Sequence, residues 1–334
     1  MATIRDVAES ADVSTATVSR VLSNPDIVAE PTRRHVLKTI ERLGYAPNAA
    51  AKSLRTAATR KLLVTVPDIS NPFFSKIIEG IEEAAQHEGY AVLLGDTHHD
   101  AETEERYGSM LHRREADGLI FLGHRLPNSL KPGKRAADLP PIVNGCEYSP
   151  ELGVPSAHIN NEQAAQQVMD HLYGLGHRRI GIITGPLVSP LSRDRLAGAM
   201  ARARAESAAA QLSKVEGDFS IASGIAAAAR LLAQRRPPTA IFCFNDEMAI
   251  GVLDYARRVG IKVPESLSVV GFDDIRFAPY TCPSLTTIRQ PMLDIGRETV
   301  RLLLGILRGT IDTAVSITLP HTLEIRESTG PLRR

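Results

Sequence analysis

At 334 residues, with 43% hydrophobic and 23% charged residues, the chain has the composition of a soluble globular protein and is too long for one small core, so two or three domains are expected. The formal net charge of +1 identifies no partner by itself. The sequence has no apolar N-terminal leader and no run of about 18 apolar residues, which argues against secretion and a membrane-spanning helix and leaves the cytoplasm as the expected setting. The three cysteines, Cys146, Cys243 and Cys282, lack metal-ligand spacing and read as free core thiols. The distribution of charge says more than its sum. Residues 31–60 carry seven Lys/Arg against one acid, Glu41, whereas residues 61–334 carry 30 Lys/Arg against 32 Asp/Glu and are close to neutral. A basic head on a neutral body fits a nucleic-acid-binding head.

The first helix is expected at Ile4-Arg-Asp-Val7-Ala8-Glu-Ser-Ala11, where apolar residues recur at i, i+3, i+4 and i+7. Thr3 is placed to cap it, with Asp6 in the first turn. After a break at Asp12-Val13, Ser14 caps a second helix. Viewed down its axis, Val18, Val21 and Leu22 share one side and Thr15, Ala16, Ser19 and Arg20 the other. Small hydroxyl side chains beside one guanidinium suit a solvated face or a DNA major groove equally well when read alone. In the groove, Thr meets thymine methyls and Arg binds guanine O6 and N7. Two short helices joined by so tight a turn form a helix-turn-helix, which favours the groove. Asn24-Pro25-Asp26 ends the second helix, and a third is expected over about residues 31–43 with Val36, Ile40 and Leu43 inward and Gly44 as its stop. Pro47-Asn-Ala-Ala-Ala-Lys52-Ser-Leu54-Arg55 is too short to hold a helix alone in water. It reads either as a linker or as a segment that folds on DNA, with Leu54 wedged into the minor groove and Lys52 and Arg55 on phosphates.

The head residues Ala2-Thr-Ile-Arg-Asp-Val-Ala, Val13-Ser-Thr-Ala-Thr-Val-Ser-Arg-Val-Leu22, Thr32-Arg, Gly44-Tyr-Ala-Pro-Asn48 and Ala51-Lys-Ser-Leu54 resemble the head of the lactose-repressor (LacI/GalR) family without a gap. The resemblance implies base reading by Thr15, Ala16 and Arg20 and makes Leu54 a hinge-helix leucine. Ala16 departs from the longer polar residue that other members carry there, and offers at most an apolar contact to a thymine methyl. The expected DNA-contacting set is Thr3, Ser14, Thr15, Ala16, Thr17, Ser19, Arg20 and Asn24, with Lys52, Leu54 and Arg55 in the segment that follows.

From Leu62 onward short apolar runs alternate with amphipathic ones. Strands are expected at Leu62–Val66, Tyr90–Leu94, Gly118–Leu122, Pro141–Asn144, Ser156–Ile159, Ile180–Thr184, Ala240–Cys243, Ser268–Gly271 and Thr286–Ile288, with helices such as Phe74–His87 and Ser192–Ser207 between them. Such alternation predicts parallel sheets covered on both faces, and ligands in such folds lie outside the carboxyl ends of the strands. Those ends carry Pro67-Asp68 with Phe73-Phe74, Ser192-Arg-Asp-Arg195, Glu216-Gly-Asp-Phe219, Phe244-Asn-Asp-Glu247 and Gly271-Phe-Asp-Asp274: aromatic walls, forked cations and acceptors, the chemistry of a polar-ring site. Asn245 and Asp246 also suit helix caps, and the two phenylalanines suit plain core.

Pro67-Asp-Ile-Ser-Asn-Pro-Phe-Phe, Gly176-His-Arg-Arg-Ile-Gly, Arg195-Leu-Ala-Gly, Asn245-Asp-Glu-Met-Ala-Ile-Gly, Ser268-Val-Val-Gly-Phe-Asp-Asp and Leu285-Thr-Thr-Ile-Arg-Gln-Pro extend the resemblance through the body. It implies an all-α helix-turn-helix head on a two-lobed α/β core like type I periplasmic binding proteins. The expected division is a head over 1–46, a hinge over 47–60 and a core over 61–334, with one lobe near 61–158 and 289–318 and the other near 159–288 and 319–334. It also carries effector contacts onto Phe73, Phe74, Arg195, Phe219, Asn245, Asp273 and Gln290. Leu94-Gly-Asp96, Leu122-Gly-His-Arg-Leu-Pro127 and Pro190-Leu-Ser-Arg-Asp-Arg195 are most similar to the cytidine-repressor branch, which implies a nucleoside; a sugar stays equally open. The expected partners are double-stranded operator DNA, a small effector and a second copy of the chain.

An enzyme lacks support: there is no P-loop, no G-x-S-x-G elbow and no H-E-x-x-H. No cofactor or metal is expected, and His98-His99 reads as a solvated pair near a strand end. A free periplasmic binding protein would need a signal peptide and would have no use for the head.

Overall fold

The computed structural model describes residues 2–46, 58–131, 141–149, 152–206, 211–311 and 315–332. The chain divides into two units, Met1–Thr59 and Arg60–Arg334. The expected DNA contacts Lys52, Leu54 and Arg55 lie outside the described residues.

The head consists of α1 (Ile4–Ser10), α2 (Thr15–Ser23) and α3 (Glu30–Leu43). A capping box opens α1. Thr3 Oγ1 accepts from the Asp6 N–H at 3.4 Å, and the Asp6 carboxylate accepts from the Thr3 N–H at 2.7 Å. The turn into α2 passes through Asp12 at φ 47°, in the left-handed region that Asp tolerates better than most residues. Ser14 Oγ then accepts from the Thr17 N–H at 3.1 Å and starts α2. Gly44, at φ 59°, stops α3. Val7, Ala8, Ala11, Val18, Val21 and Val36 form the core, and Arg42 ties α3 to α1 through Ser10 Oγ at 2.5 Å.

The body begins with β1 (Lys61–Val66), α4 (Pro72–His87), β2 (Ala91–Asp96), α5 (Ala101–His112), β3 (Gly118–Phe121), β4 (Ile142–Gly145) and β5 (Ser156–Ile159). It continues through α6 (Asn161–Gly174), β6 (Arg179–Thr184), α7 (Pro190–Ala205), β7 (Gln211–Glu216), α8 (Ile221–Leu232), β8 (Ala240–Cys243), α9 (Asp246–Arg258) and β9 (Ser268–Val270). β10 (Thr287–Arg289), α10 (Met292–Leu307), β11 (Ser316–Leu319) and β12 (Thr322–Glu324) complete it. One parallel sheet has the order β11-β5-β4-β3-β1-β2, a second β7-β6-β8-β9. The small pair β10–β12 is antiparallel.

Both faces of the first sheet are buried. Leu62, Val64 and Val66 of β1 join one apolar cluster, and Leu63 joins the cluster on the other face. The first cluster also takes Ile295, Val300, Leu302 and Leu303 of α10, so residues from near the end of the chain complete the sheet that its first strands begin. α6, by contrast, packs into the core of the second sheet through Ala164, Ala165, Val168 and Leu172. The chain therefore passes from one sheet to the other between β5 and α6, returns before α10, and crosses again between β11 and β12.

Cys146 and Cys243 are buried, as core thiols should be, but Cys282 is exposed in the loop before β10, a correction to the expectation for all three. β7, β11 and β12 are not legible in the sequence. Their residues are mostly polar because each is an edge strand or part of the small pair, with one side on solvent.

Candidate functional site

On α2 the outward residues Thr15, Ala16 and Arg20 are exposed, while Val18 and Val21 face the head's core. Ser19 and Thr17 are half-buried. Two of the expected contacts already serve the backbone, the Thr3 and Ser14 hydroxyls that cap their helices, and Thr17 Oγ1 lies 2.9 Å from Ser14 Oγ. Asn24 is exposed at the C-cap of α2.

In the body, a cavity of about 390 Å³ lies beyond the carboxyl ends of both parallel sheets. Pro67 and Asp68 reach it from the end of β1, Leu122 to Arg125 from β3, and Cys146 and Glu147 from β4. The second sheet contributes Pro186, Val188 and Ser189 after β6, Asp218 to Ser220 after β7, Asn245 and Glu247 after β8, and Asp273 after β9. Of the expected effector contacts, Asp68, Phe73, Phe74, Arg195, Phe219, Asn245 and Asp273 all line it. Gln290 does not. It stands behind the wall, where its Nε2 donates to Asp273 Oδ1 at 2.7 Å and fixes that carboxyl.

The aromatic walls are built locally. Asn71 caps α4 by accepting from the Phe73 N–H at 2.9 Å, and Pro72 takes the first turn, where a missing N–H costs nothing. Phe73 and Phe74 follow edge to face, with centroids 5.2 Å apart and planes at 65°. From the other sheet comes Phe219, held at φ 71° by the Asn245 amide, which donates to its carbonyl at 2.8 Å. Asn245 also caps α9, accepting from the Met248 N–H at 3.0 Å, so much of its side chain belongs to the frame rather than to a ligand. The Phe219 ring lies against Gly185, where a Cβ would come within 2.0 Å of its Cζ; any larger residue there moves the ring.

Arg195 is 3% exposed and bound on several sides. Nε donates to Asn161 Oδ1 at 2.8 Å, another nitrogen donates to the Phe244 carbonyl, a third lies 3.9 Å from Asp273 Oδ1, and the guanidinium sits 3.6 Å from the Phe272 ring centroid. Asn161 opens α6 immediately after the first crossing between sheets, and Gln290, bonded to Asp273, lies two residues before the start of α10. Arg195 thus links the cavity wall to two of the three connections on which the sheets can move.

The buried acids of this wall are held toward their neutral forms. Burial pushes Asp273 up to about 7, against the opposing pull of Arg195 and the Gln290 amide. Burial pushes Glu147 up to about 7 as well, against the Ser189 hydroxyl, Arg195 and the Leu191 N–H. Glu247 is raised by burial and by Asp68 nearby, and His124 is lowered to about 4 by burial and by Arg125. For Glu147 the linkage has a definite sign. The folded carboxyl binds its proton more tightly than the unfolded one, so ionisation weakens the fold as pH rises from about 4.5 to about 7. Glu147→Gln removes that ionisation. It should leave stability nearly unchanged at pH 5 and raise it at pH 8, by on the order of 3 kcal/mol, in urea unfolding at the two pH values. A gain of equal size at both would show that ionisation is not the cause.

His99, Leu122, His124, Glu147, Ser189 and Glu247 also line the cavity and are absent from the sequence-based set. The signal that finds Leu122, His124 and Glu147 is the one already applied to β1, β6, β8 and β9, since these residues follow the ends of β3 and β4. Among the described residues no cluster of three His, Cys, Asp or Glu side chains has the arrangement of a metal site, and no helix is long and apolar enough to cross a membrane.

Residues 3–48 match the pattern of bacterial regulatory proteins of the lacI family, and residues 169–329 that of a periplasmic binding protein-like domain. Over 332 residues, 99% of this chain and 97% of its relative, the sequence is 42% identical to the HTH-type transcriptional repressor CytR of Escherichia coli strain K12. The chain belongs to the LacI family. A LacI-family chain is a DNA-binding transcriptional regulator, with the helical head and two-sheet body described above. Among solved structures, the lac repressor dimer bound to operator and the anti-inducer ONPF is similar with a TM-score of 0.87 at 28% identity, over 98% of this chain and 99% of that one. The transcriptional regulator CelR in complex with cellobiose is similar with a TM-score of 0.73 at 32% identity, over 98% of this chain and 100% of that one.

Proposed function

We propose that this LacI-family chain is a cytoplasmic transcriptional repressor that reads a pseudo-palindromic operator as a homodimer, and that a nucleoside in the cavity sets its operator affinity. One observation carries the effector reading: Phe74 and Phe219, supplied by different sheets, wall a cavity whose buried end holds Arg195 and Asp273. Flat rings for stacking beside a forked cation and an acceptor suit a polar aromatic ligand. A sugar is the second reading, favoured by the cellobiose that the similar CelR holds. The chain is a regulator rather than an enzyme, as its relatives are.

Thr15, Ala16 and Arg20 read base edges, while Thr3, Ser14, Thr17, Ser19 and Asn24 set the register on sugar and phosphate. Lys52, Leu54 and Arg55 extend the contact into the minor groove on sequence grounds. Two heads are needed because one reads too few base pairs. Coupling between effector and operator is reciprocal: a ligand that weakens DNA binding is itself bound less tightly by the DNA-bound form.

Arg20→Ala is expected to relax preference at one operator position and cost about 1–3 kcal/mol there. Selection of binding sites from random duplexes by the wild type and the variant reads this directly, and identical selected sequences would remove Arg20 from the base-reading set. The effector is tested by thermal melts of the full chain with nucleosides and sugars. A ligand at about 100 times its Kd adds about 2.7 kcal/mol. Stabilisation by sugars alone would replace the first reading with the second.

A further inference from the structure

The buried end of the cavity holds more hydrogen-bond acceptors than the protein itself satisfies. Glu147 arrives there because Cys146, at φ 61°, bends the chain through the left-handed region just after β4, a conformation cysteine rarely adopts. Its side chain is buried, and one carboxyl oxygen accepts from Ser189 Oγ at 3.0 Å. The other oxygen is fully buried and has no hydrogen-bond partner among the described residues. Ser189 occupies the N-cap of α7 without making a cap bond; its hydroxyl goes to Glu147 instead, so the acid is held in place across the cavity. The guanidinium of this end, Arg195, is engaged by Asn161, by the Phe244 carbonyl and by Asp273. Two buried carboxyls therefore stand against one cation, and once they are ionised a ligand reaching this end must bring donors rather than further acceptors or negative charge. Cys146 and Leu191 beside Glu147 offer little that would bind ribose hydroxyls, whereas Asp68 and Glu247, only partly buried, do.

We propose that Glu147 is a specificity-determining residue of the effector site, whose unpartnered carboxyl oxygen accepts a hydrogen bond from the exocyclic amino group of a nucleobase. With that carboxyl ionised, the site prefers amino- to oxo-substituted nucleosides, because an oxo group there would set two acceptors face to face. The inference rests on the cavity being a nucleoside site, and its test separates the two.

Full-length wild type, Glu147→Gln and Glu147→Leu are titrated by calorimetry at pH 8, above the value of about 7 to which burial pushes Glu147, with adenosine, inosine, cytidine and uridine, after a melt shows each variant folded. Within each base class the pair differs at one position, amino against oxo. The wild type is expected to favour the amino member of the pair it binds by roughly 10- to 100-fold, the range of a hydrogen bond to a charged group. Glutamine offers a donor where the acid offered an acceptor and is expected to shrink or reverse that ratio. Leucine offers neither and is expected to abolish it. Nucleosides that bind with a ratio unchanged in both variants overturn the role of Glu147 and leave the nucleoside site standing. Binding of sugars with no binding of any nucleoside overturns both.

Discussion

Arg195→Ala is expected to abolish the effector response and to destabilise the body by about 3–5 kcal/mol, the range for breaking a buried ion pair from one side. Truncation leaves the Asp273 carboxyl without its cation, the Asn161 and Phe244 oxygens without their donor, and the Phe272 ring without its stacked partner. Read from the sequence, Arg195 is only a ligand contact. A side chain 3% exposed with these tethers makes it a structural member too. Urea unfolding followed by circular dichroism measures the loss, and operator binding with and without effector measures the response. A variant as stable as the wild type that still responds would remove Arg195 from both roles.

Gly198→Ala should also be costly, although alanine favours a helix over glycine by about 1 kcal/mol. Gly198 lies where α7 crosses the first turn of α6, and a Cβ there would sit 2.2 Å from the Glu162 carbonyl oxygen and 2.8 Å from its carbon. Those are backbone atoms, so the two helices must separate. Overpacking of this kind costs about 1–3 kcal/mol. Glu162 is next to Asn161, so separation also pulls Asn161 away from the Arg195 Nε, now 2.8 Å distant. The expected result is a lower Tm together with weaker effector binding in the same variant. A higher Tm, as helix propensity alone demands, would mean that the helices do not meet this closely.

The head is legible because its signals are local. Thr3, Ser14 and Gly44 mark helix ends within a residue or two of where the structure puts them, and the apolar spacing gives the inward face directly. The buried strands of the body are legible for the same reason, as short apolar runs. Gln211–Glu216 is not, since only Leu212 and Val215 are apolar and the strand lies at the edge of its sheet. In the cavity, Phe73, Phe74 and Phe219 stand out as aromatics at strand-to-helix turns, and family likeness adds Arg195 and Asp273. Glu147 carries only the weaker mark of following a strand end. Its partner Ser189 is 42 residues away, and nothing near it in sequence says that the acid is buried. The converse error is Gln290, whose neighbourhood resembles a ligand contact although its amide acts on Asp273.

The interleaving of the two sheets has a consequence for how the protein is made. The first sheet starts at Lys61 but needs Ile295 to Leu304 of α10 for its core and Ser316–Leu319 for its outer strand. The second sheet is likewise finished late: Ser328 bonds to Val269 and Thr286, and the buried His177 reaches Gly330. Neither half of the body can close before nearly the whole chain has left the ribosome, whereas the three helices of the head draw on the first 45 residues alone. During synthesis at about 5–20 residues per second, a nascent chain carries a DNA-reading head for many seconds before it has an effector cavity. Premature termination would yield fragments that keep the head's fold and lack any means of being switched.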